Sequence, residues 1–200
     1  METNNIWEAM ASHYDTDTRV EVANRIAQAI RAELSGTEGK TAVDYGCGTG
    51  LVGLQLLGLF QSVLFVDPSA RMIEQVDRKI AAGQIPRART LCCDFLKEVP
   101  DGLLADYVIL SQVLLHIPDS RSILTSLYSV LKKDGHLIIA DFDKNDAVVS
   151  EMVHNGFEQE ELIQLLRETG FASATAHTFY HGKGIFMNQD ASLFILNAVK

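Results

Sequence analysis

The sequence predicts a single three-layer α/β domain, a mostly parallel sheet covered by helices on both faces. Three observations predict it. Strand-like and helix-like apolar patterns alternate along most of the 200 residues, the signature of βαβ units with right-handed crossovers. The apolar segment Thr41–Tyr45 runs straight into Gly46-Cys47-Gly48-Thr49-Gly50, a glycine-rich turn of the kind that joins a strand to a helix beside a ligand. Acidic or polar residues fall at the ends of four successive strands: Asp44, Asp67, Asp94 and the pair Ser111-Gln112.

The elements follow in order. Val22, Ile26, Ile30 and Leu34 lie on one helical face, and Gly36 stops that helix. Strand Thr41–Tyr45 leads to a helix expected over Leu51–Phe60, then to the short strand Val63–Val66, halted by Asp67-Pro68. A helix over Ala70–Ala82 turns Met72, Ile73, Val76 and Ile80 inward and ends at Gly83. Strands follow at Arg89–Cys92 and Tyr107–Leu110. Asp119 or Ser120 caps a helix with Ile123, Leu124, Leu127, Val130 and Leu131 on its apolar face. Gly135 precedes strand His136–Phe142, and a helix over Glu158–Glu168 ends at Gly170. Ala174–Phe179 and Ser192–Val199 close the chain as strands. Residues 143–156 read as a loop, either a lid or a connection holding a short helix.

The glycine spacing narrows the ligand. Dinucleotide binders use Gly-x-Gly-x-x-Gly, and here Leu51 stands at the third glycine position. In open α/β sheets ligands bind beyond the carboxyl ends of the strands. Adjacent strands lie about 4.8 Å apart, so four strand ends span roughly 14 Å, room for a nucleoside with an amino-acid arm. Asp67 suits ribose hydroxyls, and Asp94 with Phe95 suits a base.

Composition bounds the function. The net charge is −9, whereas nucleic-acid binding rests on clustered Lys and Arg. The first twenty residues lack a basic start and an apolar stretch of the signal-peptide kind. The longest apolar stretch, Leu51–Val66, carries Gln55, Gln61 and Ser62 and is too short to span a bilayer. A cytoplasmic protein without membrane insertion is the expectation. Three cysteines, Cys47, Cys92 and Cys93, form no Cys-x-x-Cys, so neither a disulfide framework nor a zinc site is expected. His177 and His181 lie four apart, but Phe179 and Gly182 argue against a helix there, so no metal pair is expected.

VDYGCGTG, FVDPS, CCDF, ADYVILSQVLLHIPD and LKKDGHLIIADF, in this order and spacing, resemble the successive motifs of class I S-adenosylmethionine-dependent methyltransferases. The resemblance is closest to the small-molecule group that includes the ubiquinone/menaquinone-biosynthesis enzymes. It covers residues 40–142 strongly; WEAMASHYD and FEQEELIQLLRETGF extend it more weakly. It implies a Rossmann-like seven-stranded sheet with a final antiparallel strand. It divides the single domain into an N-terminal helical lid (1–35), a cofactor-binding core (40–142) and a C-terminal part carrying the substrate side (143–200).

Position by position, the resemblance implies that Asp44, Gly46, Cys47, Gly48 and Gly50 hold the methionine arm of S-adenosylmethionine. Asp67 binds the ribose, with Pro68, Ser69 and Met72 beside it. Asp94 meets the adenine amino group, with Phe95 alongside. Ser111 and Gln112 border the sulfonium, and Tyr14 and Arg19 close over the cofactor or pair its carboxylate. Cys47 stands where a small residue is needed, and Met72 suits the core as well as the cofactor. His116 and His181 are the candidate bases on the substrate side.

Methyl transfer needs little acid–base apparatus, because positioning alone supplies ~7–11 kcal/mol. The expected reaction is in-line transfer to a small-molecule acceptor, with S-adenosylhomocysteine as product. The Asn/Asp-Pro-Pro-Tyr/Phe of adenine methyltransferases and the Pro-Cys of cytosine C5 enzymes are both missing; the fourth strand ends Leu110-Ser111-Gln112-Val113. Two competitors stand beside this reading. One is a cofactor-binding or partner module without turnover; the other is a nicotinamide oxidoreductase, which Asp67 suits and Leu51 does not. A monomer and a homodimer are both compatible with the sequence.

Overall fold

A computed structural model describes residues 2–200, with side chains from Ile6 onward. The sheet has strands β1 (Thr41–Tyr45), β2 (Ser62–Asp67), β3 (Ala88–Cys92), β4 (Ala105–Ser111), β5 (Leu131–Phe142), β6 (Ser173–Phe186) and β7 (Gln189–Val199). Their order is β3-β2-β1-β4-β5-β7-β6. β7 runs antiparallel to both of its neighbours, and the other pairs are parallel. The chain therefore reverses direction once across the sheet, at the strand it makes last.

Alternation along each strand divides the core. Ile109 of β4 faces one side with Phe65, Ile138 and Ile195. Its neighbours Val108 and Leu110 face the other, with Val43, Val66, Leu137, Ile139 and Phe194. The first face is covered by α2 (Asp17–Glu33), the single turn α3 (Gly53–Leu56) and α4 (Ala70–Gly83). The second is covered by α5 (Ser120–Val130) and α6 (Gln159–Thr169). α1 (Glu2–Met10) precedes this layered body. No helix among the described residues is long and apolar enough to cross a membrane.

Several elements differ from the sequence reading. β5 starts at Leu131, five residues before the expected His136, so Leu131 opens a strand where the reading placed it on the helix. The helix expected over Leu51–Phe60 is one α-turn followed by a 3₁₀ turn, Leu57–Leu59. Gly58 interrupts it, and Gly53 draws it tight against the sheet, where a Cβ would stand 2.7 Å from Cε1 of Phe65. β6 runs seven residues past the expected Phe179 because the β6–β7 hairpin extends beyond β5 to a turn at Met187-Asn188, both at positive φ. Residues 143–156 contain no helix; Asp143 bridges to Phe157 in parallel.

The register aligns the carboxyl ends that matter. Tyr45 pairs with Val66, Asp67 with Cys92 and Ser111 with Ala140. One edge of the sheet thus carries the glycine turn, the β2 acid and the β4 exit side by side.

Candidate active site

The glycine turn is anchored first by backbone. The N–H groups of Gly46 and Cys47 both donate to the carbonyl of Val66, at 2.8 and 3.1 Å. Gly46, Gly48 and Gly50 have φ of 68°, 53° and 81°, a region that a Cβ makes costly. Gly46 has a second constraint. A Cβ there would stand 2.5 Å from Cγ2 of Val113, so the turn is wedged against the exit of β4.

Asp67 braces the turn from the side. Its Oδ2 accepts the Gly48 N–H at 2.9 Å and its Oδ1 the Ser69 N–H at 2.8 Å. Burial raises its pKa, opposed by those two N–H groups, and the nearby Glu8 carboxylate raises it further. A carboxylate has about four lone-pair sites, so Asp67 keeps acceptor capacity for a ligand.

Asp44 lies behind the turn. It is 2% exposed, accepts the Gly53 N–H, and burial with the neighbouring Asp67 charge pushes it up to about 7. The folded state holds that proton over a range where the unfolded chain, near 3.8, has released it. Asp44 therefore stabilises fully below about pH 4, and its contribution is lost as pH rises through about 7. Asp44→Asn keeps an acceptor for Gly53 and cannot ionise. The melting temperature of the variant relative to wild type is expected to be more favourable at pH 8 than at pH 5 by at least ~2–4 °C, the shift that 1 kcal/mol gives a domain of this size. Equal differences at the two pH values would contradict the assignment.

The remaining cofactor candidates divide. Ser69 caps α4, accepting from Met72 N–H at 3.2 Å, while Pro68 sits between Ser69 and Asp67. Cys47 lines the turn, and burial drives its thiol well above the usual range, which suits packing. Met72 and Phe95 turn into the core at 2% exposure each. Phe95 stacks on Tyr45, with centroids 4.7 Å apart. Asp94 accepts from Leu96 N–H at 3.1 Å and pairs with Lys97. Ser111 ends β4, and Gln112, at φ 54°, donates its N–H to the carbonyl of Ala140 at 2.8 Å.

The N-terminal segment lies over this edge. Tyr14 approaches Gly48, whose added Cβ would stand 3.8 Å from the phenol ring. Burial raises the Tyr14 pKa, with Arg19 opposing; the Arg19 guanidinium lies 4.4 Å from the ring centroid and donates to the Tyr14 carbonyl. Glu8 accepts from Ser69 Oγ at 2.9 Å and pairs with Arg71. Asp15 accepts from Thr49 Oγ1 and from Lys79 Nζ, the latter at 2.7 Å. Trp7 meets His116 edge-on at 4.8 Å.

His116 is carried on the 3₁₀ turn Leu114–His116 directly after β4, and burial lowers its pKa to about 4. His181 is not brought to this cluster. It sits on β6, bonded to Ser192 Oγ at 2.7 Å, three strands from β4, roughly 14 Å across the sheet at standard spacing.

Sequence reasoning did not single out Glu8, Asp15, Thr49, Lys79 or Asp141. For the first four no local signal exists, since their partners are distant in the chain. Asp141 carried one: an acid closing an apolar strand, as Asp44 and Asp67 do.

The donor set fits a nucleoside with a zwitterionic arm. Carboxylates at Asp67 and Glu8 suit hydroxyl and amino donors, Arg19 suits a carboxylate, and the turn admits close backbone approach.

Comparison with known proteins agrees. A family model described as a methyltransferase domain matches residues 16–178. The O-methyltransferase cnsE of Penicillium expansum is 30% identical over 171 residues, covering 78% of this chain and 60% of the relative. A ubiquinone biosynthesis O-methyltransferase of Glaesserella parasuis is 30% identical over 125 residues, covering 58% of this chain and 50% of the relative. The chain thus spans half to three fifths of the length of these relatives. Among solved structures, an S-adenosylmethionine-dependent methyltransferase from Aquifex aeolicus superposes with a TM-score of 0.72 at 16% identity, covering 96% of this chain and 97% of that one. Phosphoethanolamine N-methyltransferase 2 of Haemonchus contortus, solved with phosphomonomethylethanolamine and S-adenosylhomocysteine, gives 0.73 at 17% identity, over 87% of this chain and 52% of that one. With its family model matching from α2 into the first residues of β6, the chain belongs to the class I S-adenosylmethionine-dependent methyltransferases.

Proposed function

We propose that this protein transfers the methyl group of S-adenosylmethionine to a hydroxyl oxygen of a small-molecule acceptor. One observation carries the reading: the glycine turn, the Asp67 carboxylate and a neutral, half-buried His116 meet at one sheet edge beneath Trp7 and Tyr14. The naming of relatives as O-methyltransferases supports oxygen as the acceptor atom.

The cofactor, when bound, supplies a methyl group already activated on a sulfonium. The chain's own residues hold and orient. Gly46, Cys47, Gly48 and Gly50 offer backbone to the methionine arm, with Asp44 fixing the turn from behind and Arg19 and Tyr14 meeting its carboxylate end. Asp67 takes the ribose hydroxyls, with Pro68 and Ser69 beside them and Met72 backing them from the core. Asp94 receives the adenine amino group, and Phe95 backs it. Ser111 and Gln112 border the reacting end. His116, uncharged above about pH 4, accepts the hydroxyl proton of the acceptor at a ring nitrogen. That proton acidifies as the oxygen–carbon bond forms, so a weak base suffices. His181 would line the outer substrate side at most.

Residues 6–15 act as the lid. Their contacts to Ser69, Arg71, Thr49 and Lys79 must part for the cofactor to enter and leave. The Asp15–Lys79 pair is about a third exposed at each partner, so Lys79→Ala should cost the closed state only ~0.5–1 kcal/mol. Cofactor dissociation is expected to speed up about 2- to 5-fold. Trp7, the single tryptophan, reports it in stopped-flow fluorescence; an unchanged rate would detach this pair from the lid.

The test is titration followed by turnover. S-adenosylmethionine and S-adenosylhomocysteine should bind in calorimetry, and NAD should not. Radiolabelled methyl should pass to members of a panel of phenols and hydroxy acids. Tight NAD binding without S-adenosylmethionine binding would overturn the reading in favour of an oxidoreductase. Cofactor binding without transfer to any hydroxyl, amine or thiol panel would favour the non-catalytic module.

A further inference from the structure

Asp141, the penultimate residue of β5, is 0% exposed and belongs to none of the cofactor contacts above. Its partners are all backbone. Oδ2 accepts the Leu115 N–H at 3.2 Å and Oδ1 the Phe142 N–H at 2.9 Å, and the Leu114 N–H also points to it. Leu114 and Leu115 are the first two residues of the 3₁₀ turn whose third is His116. N–H groups at the start of such a turn have no partner within it, and inside a core they need one.

The same turn is held from two other directions. The Leu115 carbonyl accepts from His154 N–H at 2.8 Å, and the Ile117 carbonyl lies 2.9 Å from His154 Nε2. Val113, just before the turn, is wedged against Gly46 of the cofactor loop. The segment 112–117 is thus tied to β5, to the 143–156 loop and to the glycine turn, and His116 projects from it to Trp7.

Burying a carboxylate is expensive, and a serine or asparagine meets the N–H groups at a turn at lower desolvation cost. A carboxyl group kept in that place, though burial pushes it up to about 7, offers acceptor sites enough to hold two backbone donors of the turn at once. We propose that Asp141 is a positioning residue for methyl transfer: its buried carboxylate fixes the 3₁₀ turn that carries His116 and so sets the orientation of that ring. The inference rests on the reading of His116 as the proton acceptor.

A double-mutant cycle in kcat tests it, using Asp141→Asn, His116→Ala and the double variant. Asparagine would turn an N–H donor toward either the Leu115 or the Phe142 N–H, and either way displaces the side chain from its hold on the turn. In the His116 background Asp141→Asn is expected to lower kcat about 10- to 100-fold, the cost of a misplacement near 1 Å. In the His116→Ala background the same change should lower it less than about 3-fold, because groups acting as a unit are not additive. S-adenosylhomocysteine affinity, read by calorimetry, should change less than about 3-fold, because the glycine turn keeps its own backbone anchor at Val66.

Equal losses in both backgrounds, or no loss in either, overturn the proposal. Asp141→Glu keeps the charge and goes through the same cycle if the asparagine variant does not fold. If neither variant folds even with S-adenosylhomocysteine, Asp141 is a structural residue only and the proposal fails. Turnover is not the sole readout. In the folded variant the His116 ring and Trp7 indole signals should shift in NMR spectra, and unchanged signals overturn the positioning role. His116→Ala at wild-type kcat defeats the base reading itself, which separates that failure from one confined to Asp141.

Discussion

His116→Ala is expected to lower kcat by about 10²-fold, the low end of the worth of a placed general base because its pKa lies well below the operating pH, with cofactor affinity nearly unchanged. The ring stands on the turn after β4, against Trp7, and burial lowers its pKa to about 4. It is therefore neutral across the physiological range. The acid limb of kcat/KM should fall near pH 4, well below the ordinary histidine value. Steady-state kinetics from pH 4 to 9 on wild type and variant check both parts. A variant at full kcat, or an acid limb near 6.5, would remove His116 from the chemistry.

Asp67→Ala is expected to weaken S-adenosylmethionine binding by ~1.5–3 kcal/mol, the range for hydrogen bonds to a charged group, or roughly 10- to 150-fold. Two losses combine. The ribose loses its acceptor, and the Gly48 and Ser69 N–H groups lose theirs, which loosens the turn beside the methionine arm. Calorimetry with S-adenosylhomocysteine and thermal melts separate them. A lowered melting temperature with unchanged affinity would make Asp67 a brace of the loop and nothing more.

The parts of this site legible in the sequence are those whose causes are local. A positive φ demands glycine, so the turn 46–50 announces itself. An acid closing an apolar run marks a strand end, so Asp44 and Asp67 stand out. What escapes is contact between distant segments. Glu8 reaches Ser69 and Asp15 reaches Lys79 without any periodicity that links the pairs. The direction a side chain takes at a strand end escapes too. Asp44 turns behind the loop and Phe95 into the core, where sequence position alone leaves either face open. Gly53 and Gly58 are visible in the sequence as weak helix formers, but the approach of Gly53 to Asp44 and Phe65, which no other residue allows, is not. The outer part of β6 carries Gly182 and Gly184 and no apolar alternation, because there the hairpin passes beyond the sheet.

The position of β7 bears on how the molecule is assembled. It lies between β5 and β6 yet follows both in the chain, and Val199 pairs with His136 on one side and Ser173 on the other. Without β7 the five strands β3, β2, β1, β4 and β5 would end in an unpaired apolar edge at β5, and β6 would have no neighbour. Such an edge invites pairing with other chains. β7 closes it by pairing with β5 and β6 at once. Loss of β7 would therefore open an aggregation-prone edge in the middle of the sheet and leave β6 detached from it.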